Sequence, residues 1–237
     1  MQKVTNLLVE KADLGPESVF VDVGAGLGKP NLHVAIDPGV KYSVGVEMEH
    51  VRWLLSLHNL KHYVDDVETH RPEASRNNCI FMHSDAWDAK SFNPFTHVYM
   101  FDIGFPPKLF LHLGECLRAS STAKWVLCYH APHLMIDKYG FSMEFVEKQA
   151  TSMHGSSEGH TAYLYKCTHA KALKPVKKQV KSIVADSDPL FRETFEVLSQ
   201  DDQTVTDWLA SKQAEDPRMN GTSSRPRTRT QSKADSV

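Results

Sequence analysis

A strand that stops at a carboxylate and turns through three alternate glycines into a helix leaves a chain few folds to choose from. Here Val19-Phe20-Val21 runs into Asp22, Gly24-Ala25-Gly26-Leu27-Gly28 makes the turn, and Pro30-Asn31-Leu32-His33-Val34-Ala35 carries the helix. A second strand then ends in Gly45-Val46-Glu47. Glycines let main-chain N–H groups approach a ligand that any Cβ would hold off, and the helix start behind them adds unpaired donors and a positive dipole end. Pro30 at the first helical position sharpens the helix start. This suits a nucleoside cofactor held by its sugar and its backbone. A glycine turn could also serve only to let a strand meet a helix, but a buried strand end has no structural need of Asp22 and Glu47.

Spacing narrows the cofactor. Counted from Gly24, a dinucleotide fingerprint needs its third glycine where Lys29 stands. A phosphate loop of the G-x-x-x-x-G-K-[ST] type needs a hydroxyl after Lys29, and Pro30 is there instead. What remains, D-x-G-x-G-x-G with an acid closing the next strand, resembles motif I and the ribose-binding acid of class I S-adenosylmethionine (SAM) methyltransferases.

The chain has 237 residues, enough for one domain of ordinary size with extensions. Its net charge of −2 argues against a uniformly basic nucleic-acid binder, so any such contact must come from a local patch. Cys79, Cys116, Cys128 and Cys167 stand singly with no C-x-x-C pair, which predicts buried thiols in a reducing compartment, without a metal site or a disulfide framework. The N-terminal residues lack an apolar signal region and no membrane-length apolar run occurs, so the expected protein is soluble and intracellular.

Element types alternate through the first two-thirds, which predicts an α/β fold: a mostly parallel sheet with helices on both faces. Val4, Leu7, Leu8 and Ala12 have helical spacing ahead of the first strand. Strands are expected near 18–23, 43–47, 79–84, 96–103 and 123–130, with helices near 30–37, 49–62 and 107–118. Alternation in Phe141–Glu147 and again in Thr161–Tyr165, around a Gly/Ser turn at 154–159, predicts an antiparallel hairpin at the sheet edge. The methyltransferase domain should then span 1–168, followed by a Lys-rich linker at 169–187 with Lys171, Lys174, Lys177, Lys178 and Lys181. An acidic amphipathic helical segment at 188–215 should dock on the sheet or on a partner, and 216–237 reads as a disordered Ser/Thr/Arg-rich tail. The lysines are a solvated spacer or a hold on nucleic-acid phosphates.

Ligands of such folds lie across the carboxyl ends of the strands. Asp22 can order the glycine loop, Glu47 can accept both ribose hydroxyls, and Asp85 closes the third strand where an adenine amino group would donate. Asp85 is equally suited to cap a helix. After the fourth strand, Asp102-Ile103-Gly104-Phe105-Pro106-Pro107 can present oxygens to a methyl acceptor, and its prolines can start the next helix. Asp102 could accept from an amine or touch the charged end of the cofactor. Phe105, Tyr129, Tyr163 and Tyr165 are candidates for an apolar channel, or for core.

From Val4 to Thr168 the chain resembles the histone lysine methyltransferases that lack a SET domain, the DOT family. The resemblance rests on Phe20–Gly28 with Val34-Ala35, Gly45-Val46-Glu47, Ser84-Asp85, Asp102–Pro107 and the hairpin Ser157–Tyr165. It implies that SAM is the cofactor, with Asp22, Gly24, Gly26, Gly28, Glu47 and Asp85 around it. Glu47 would hold the ribose and Asp85 the adenine, Asp102 and Phe105 would border a lysine channel, and Tyr163 would stand behind it. It further implies a nuclear chromatin enzyme with a histone or other protein as substrate, the Lys-rich linker touching nucleosomal DNA, and neither metal nor membrane. Two departures stand out. Phe101-Asp102 stands where the family usually has Asn-Asn, and the family's helical N-terminal subdomain has no counterpart ahead of Val4. A nucleic-acid amino methyltransferase and a non-catalytic SAM-binding module remain as alternatives.

Overall fold

The computed structural model describes residues 2–70, 78–152, 159–168, 182–200 and 204–215. The expected Lys171–Lys181 run, the hairpin turn at 153–158 and the tail at 216–237 lie outside the described residues. The elements in order are α1 (Gln2–Ala12), β1 (Val19–Val23), α2 (Lys29–Ile36), β2 (Tyr42–Glu47), α3 (His50–His70), β3 (Cys79–His83), β4 (His97–Met100), α4 (Pro107–Ala119), β5 (Trp125–Cys128), β6 (Met143–Ser152) and β7 (Gly159–Cys167). Short helix α5 (Ile183–Asp186), α6 (Arg192–Leu198) and α7 (Thr204–Glu215) close the chain.

One seven-stranded sheet runs β3-β2-β1-β4-β5-β7-β6. Strands β1 to β5 are parallel; β7 pairs antiparallel with β5, and β6 with β7. From β1 the chain works outward to β3, then returns to lay β4 beside β1, so the strand order reverses at the β1–β4 boundary. A crevice opens at the carboxyl edge of such a switch point.

All five residues of β1 are buried, as expected of a strand covered on both faces. Alternation divides their neighbours. Phe20, Tyr99, Leu127 and Leu164 join Val4, Leu7 and Leu8 of α1 in one cluster. Val21, Val44, Val98 and Val126 face the other way, with Trp53, Leu57 and Leu60 of α3 and Leu109, Phe110 and Leu113 of α4. Each such side chain contributes about 1.5–3 kcal/mol when fully buried. His97 fastens α1 to the sheet: its Nε2 lies 2.8 Å from the Ala12 carbonyl and its Nδ1 2.8 Å from Thr96 Oγ1. Burial pushes the His97 ring down to about 4, so it is neutral at physiological pH.

Several boundaries differ from expectation, the hairpin strands among them, which run over Met143–Ser152 and Gly159–Cys167. Helix α3 continues past 62 to His70, because Tyr63, Val64 and Val67 extend its buried stripe. Strand β4 stops at Met100 and not at 103, since Asp102–Gly104 curl into a 3-10 turn. Strand β5 covers Trp125–Cys128 within the expected 123–130.

The acidic segment packs against the domain itself. Phe95 meets Phe191 and Phe195 at ring-centroid distances of 4.8 and 5.4 Å, and Tyr42 meets Phe195 at 5.9 Å. Asp188 pins it: Oδ2 accepts from Lys90 N and Ser91 Oγ, both at 3.1 Å, while Oδ1 caps Leu190 N at 3.1 Å. Helix α5 falls inside the stretch expected as linker, so ordered structure begins before residue 188. All four cysteines are buried free thiols, and among the described residues no helix is long and apolar enough to cross a membrane.

Candidate active site

The turn after β1 is built by the main chain. Gly24, Gly26 and Gly28 all have positive φ, at 79°, 56° and 76°, where a Cβ would be strained. Gly24 N and Ala25 N donate to the Val46 carbonyl at 2.9 and 3.0 Å, tying the turn to the end of β2. A Cβ on Gly28 would run into the Phe81 ring, so that glycine also serves packing. Gly26 is different: nothing lies within 4 Å of where its Cβ would stand, so its outer side faces open space.

Glu47 closes β2 and is 4% exposed. Its Oε2 accepts from Gly26 N and its Oε1 from Glu49 N, both at 2.8 Å, so one carboxylate spans the glycine turn and the start of α3. Asp22 is 2% exposed, and its Oδ1 has no hydrogen-bond partner. Burial, and then the neighbouring Glu47, raise the Asp22 carboxyl well above the usual carboxylate range. A buried acceptor without a donor, open space over Gly26 and a second carboxylate beside it fit a ligand that brings hydroxyl donors and positive charge.

Asp85 follows β3, partly buried, and its Oδ1 caps the 3-10 turn Ala86–Asp88 by accepting from Trp87 N at 3.0 Å. The capping alternative is therefore what the structure displays in this side chain. The turn sits against the cradle, because Ser84 N donates to the Glu47 carbonyl at 3.1 Å.

Asp102 is wholly buried and turned inward toward the end of β5. Its Oδ1 accepts from Tyr129 N at 2.8 Å, and its Oδ2 lies 2.9 Å from His130 Nδ1. Burial raises the Asp102 carboxyl while His130 and the Tyr129 N–H draw it back down. Its side chain thus builds the site from behind and does not border a channel. Phe105 does reach the surface of the site: its ring lies 3.3 Å from the place of a Gly24 Cβ, and its N–H donates to the Asp102 carbonyl at 3.0 Å. Phe110 adjoins both Phe105 and His130, at ring-centroid distances of 6.0 and 4.9 Å.

The four channel aromatics do not come together. Tyr129 packs with Phe101 in the α1 cluster, at 4.7 Å between ring centroids. Tyr165 is fully buried in the larger cluster, and its hydroxyl donates to the His130 carbonyl at 2.7 Å. Tyr163 packs among the hairpin aromatics, 6.2 Å from Phe145 and 6.5 Å from Tyr165. His130 is the residue that sequence reasoning missed. The available signal was position alone: a titratable side chain just beyond a parallel strand at the switch-point edge. Among the described residues no group of three or more His, Cys, Asp or Glu side chains could hold a metal ion.

Residues 1–69 match the family model described as histone methylation protein DOT1. That stretch contains Asp22, the glycine turn and Glu47, and ends in α3 before Asp85, Asp102 and Tyr163. No curated protein matches the sequence. Among solved structures, magnesium protoporphyrin IX methyltransferase from Synechocystis PCC 6803, with bound SAH, is similar over 70% of this chain and 81% of its own, at 14% identity and a TM-score of 0.51. An RNA methyltransferase from Salinibacter ruber, in complex with S-adenosyl-L-homocysteine, is similar over 76% of this chain and 98% of its own, at 16% identity and a TM-score of 0.49. With the observed strand order, the first likeness shows the fold: the Rossmann-like sheet of class I methyltransferases, ending in its antiparallel hairpin.

Proposed function

We propose that this chain is a SAM-dependent methyltransferase that acts on the side-chain amine of a protein lysine, with histones as the first substrates to test. One observation carries the reading. The stretch that matches the histone methylation family carries the glycine turn, whose Gly26 has an open outer face and donates its N–H to Glu47, together with Asp22, a buried carboxyl with an unpartnered oxygen that feels the Glu47 charge.

The residues that would hold SAM follow from that cradle. Asp22 would take up its positive charge, Gly24, Gly26 and Gly28 would admit its backbone, and Glu47 would accept from the ribose hydroxyls. Asp85 would face the adenine end while still capping its turn. Bound there, SAM supplies a methyl group carried on a sulfonium. The protein supplies alignment and a dry site, which is most of what an in-line displacement needs. A lysine ammonium, with an ordinary pKa near 10.4, must lose a proton before it can attack. The apolar ring of Phe105, backed by buried Phe110, would disfavour the cation and help that loss. The Lys171–Lys181 run would add a salt-sensitive hold on nucleosomal DNA, and the place of action would be the nucleus.

The test offers radiolabelled SAM to nucleosomes, free histones, RNA and DNA, with Gly26→Arg as the control in which the cradle is filled. Label on histone lysine that disappears in Gly26→Arg supports the proposal. Label confined to RNA or DNA replaces it with a nucleic-acid amino methyltransferase. SAM binding by calorimetry without label on any acceptor leaves a binding module.

A further inference from the structure

We propose that His130 is the group that takes the proton from the acceptor amine, and that Asp102 positions its ring for the task. The inference rests on the methyl-transfer reading above and adds a proton acceptor to it.

The orientation comes first. Asp102 Oδ1 is occupied by Tyr129 N, and Oδ2 faces His130 Nδ1 at 2.9 Å. With Asp102 as a carboxylate, which can only accept, this geometry sets the hydrogen on Nδ1 and leaves the lone pair on Nε2, the tautomer the proposal needs. The backbone beneath the ring is held as well, since the His130 carbonyl accepts from Tyr165 Oη at 2.7 Å and from Cys128 Sγ at 3.8 Å.

A second histidine shows what a merely structural ring looks like in this protein. His97 is 3% exposed, and both its nitrogens are hydrogen bonded within the fold. The His130 side chain is 22% exposed, and Nε2 has no partner among the described residues. It is one bonded nitrogen and one available nitrogen, on a ring that solvent or a substrate can reach.

Position makes the available nitrogen useful. A continuous run of contacts crosses the carboxyl edge from β5 to β1: His130 to Asp102, Asp102 to Phe105 through its carbonyl, and Phe105 over Gly24. Phe110 backs both the imidazole and Phe105, so the two share one apolar wall. His130 thus stands at the same carboxyl edge as Phe105 and Gly24, and the proposal has its free nitrogen meet an amine that enters beside Phe105.

The proton balance closes. R–NH3+ gives one proton to Nε2, leaving R–NH2 with a lone pair and His130 as an imidazolium, which the Asp102 carboxylate stabilises. The lone pair then forms the nitrogen–carbon bond, the carbon–sulfur pair stays on sulfur, and His130 returns its proton to solvent through its exposed edge. Titratable groups around the ring are Asp102, Cys128, Tyr129, Tyr163 and Tyr165; burial pushes the Cys128 thiol and the Tyr129 and Tyr165 phenols upward, away from neutral pH.

Two measurements test this, one of them independent of activity. In the free protein, nitrogen-15 NMR should find His130 in the Nδ1–H form at neutral pH. Asp102→Asn, whose amide can donate to Nδ1, should switch it to the Nε2–H form. An Nε2–H ring in the wild type, or a tautomer indifferent to Asp102→Asn, overturns the dyad whether or not any methyl acceptor has been found. In the transfer assay on free histones, His130→Asn should lower kcat by about 10²- to 10⁴-fold with little change in KM, and should change the pH profile of kcat. A wild-type rate and pH profile in His130→Asn overturns the inference and leaves the methyltransferase reading standing. Absence of transfer to lysine by the wild type removes that reading, and with it the role for the dyad.

Discussion

Asp22, near the end of β1, and Asp102, just after β4, belong to neighbouring parallel strands at the same edge of the sheet; they are 2% and 0% exposed, and burial raises both carboxyls. Their surroundings differ. Asp102 has a main-chain N–H on one oxygen and an imidazole on the other. Asp22 has an oxygen with no donor, and its charged neighbour, Glu47, carries the same sign. The protein has satisfied one buried carboxylate and left the other in want of a partner. The first therefore belongs to the framework, and the second is the carboxyl that the proposed function assigns to the positive charge of the cofactor.

Opposite energetic signs follow from that contrast. Asp102→Ala strands the Tyr129 N–H and the His130 Nδ1–H, each of which costs about 1–3 kcal/mol once unpaired in the interior. The expected loss is about 3 kcal/mol, or about 6–12 °C in Tm for a chain of this size, read by urea and thermal melts. A melt unchanged from the wild type would place Asp102 with Asp22, as a group the fold does not need.

Asp22→Asn should go the other way. A carboxyl whose folded pKa is raised gives stability below its unfolded value, near 3.9, and loses it as pH rises through the folded value. At pH 7 the buried Asp22 carboxyl is therefore a burden that a carboxamide lifts, for a gain of about 1 kcal/mol, or about 2–4 °C in Tm. The advantage of the carboxamide variant should grow as pH climbs from about 4 and vanish below it. Affinity for SAM should fall about 10- to 100-fold, because a charge-assisted contact is lost. A variant both less stable and unaltered in affinity would mean that Asp22 serves the fold alone.

The glycine turn is legible in the sequence because its geometry is a property of the main chain. Gly24, Gly26 and Gly28 occupy backbone states that other residues avoid, so the letters state the conformation. The turn after β4 is not, because the direction of the Asp102 side chain is set by Tyr129 and His130, 27 and 28 positions later. The sequence places Asp102 in a loop that could present its oxygen to a methyl acceptor; in the fold the 3-10 turn after Met100 points that side chain inward, onto Tyr129 N and His130. The acidic segment shows the same limit. Its apolar stripe is visible locally, but Asp188 finds Lys90 N 98 positions away, and no local pattern reports that pairing.

Gly26→Ala isolates the cradle from the carboxylates around it. At φ 56° an alanine is strained by about 1–2 kcal/mol, and it meets no other atom within 4 Å, so the fold should survive with Tm lowered by only a few degrees. The added methyl group stands in the open space over Gly26, whose N–H is held by Glu47. If SAM lies over Gly26, its affinity should drop by more than the strain explains, and saturating SAM should raise the Tm of the wild type more than that of the variant. Equal shifts in both proteins would move the ligand off the glycine turn. The unpartnered oxygen of Asp22 would then need another explanation.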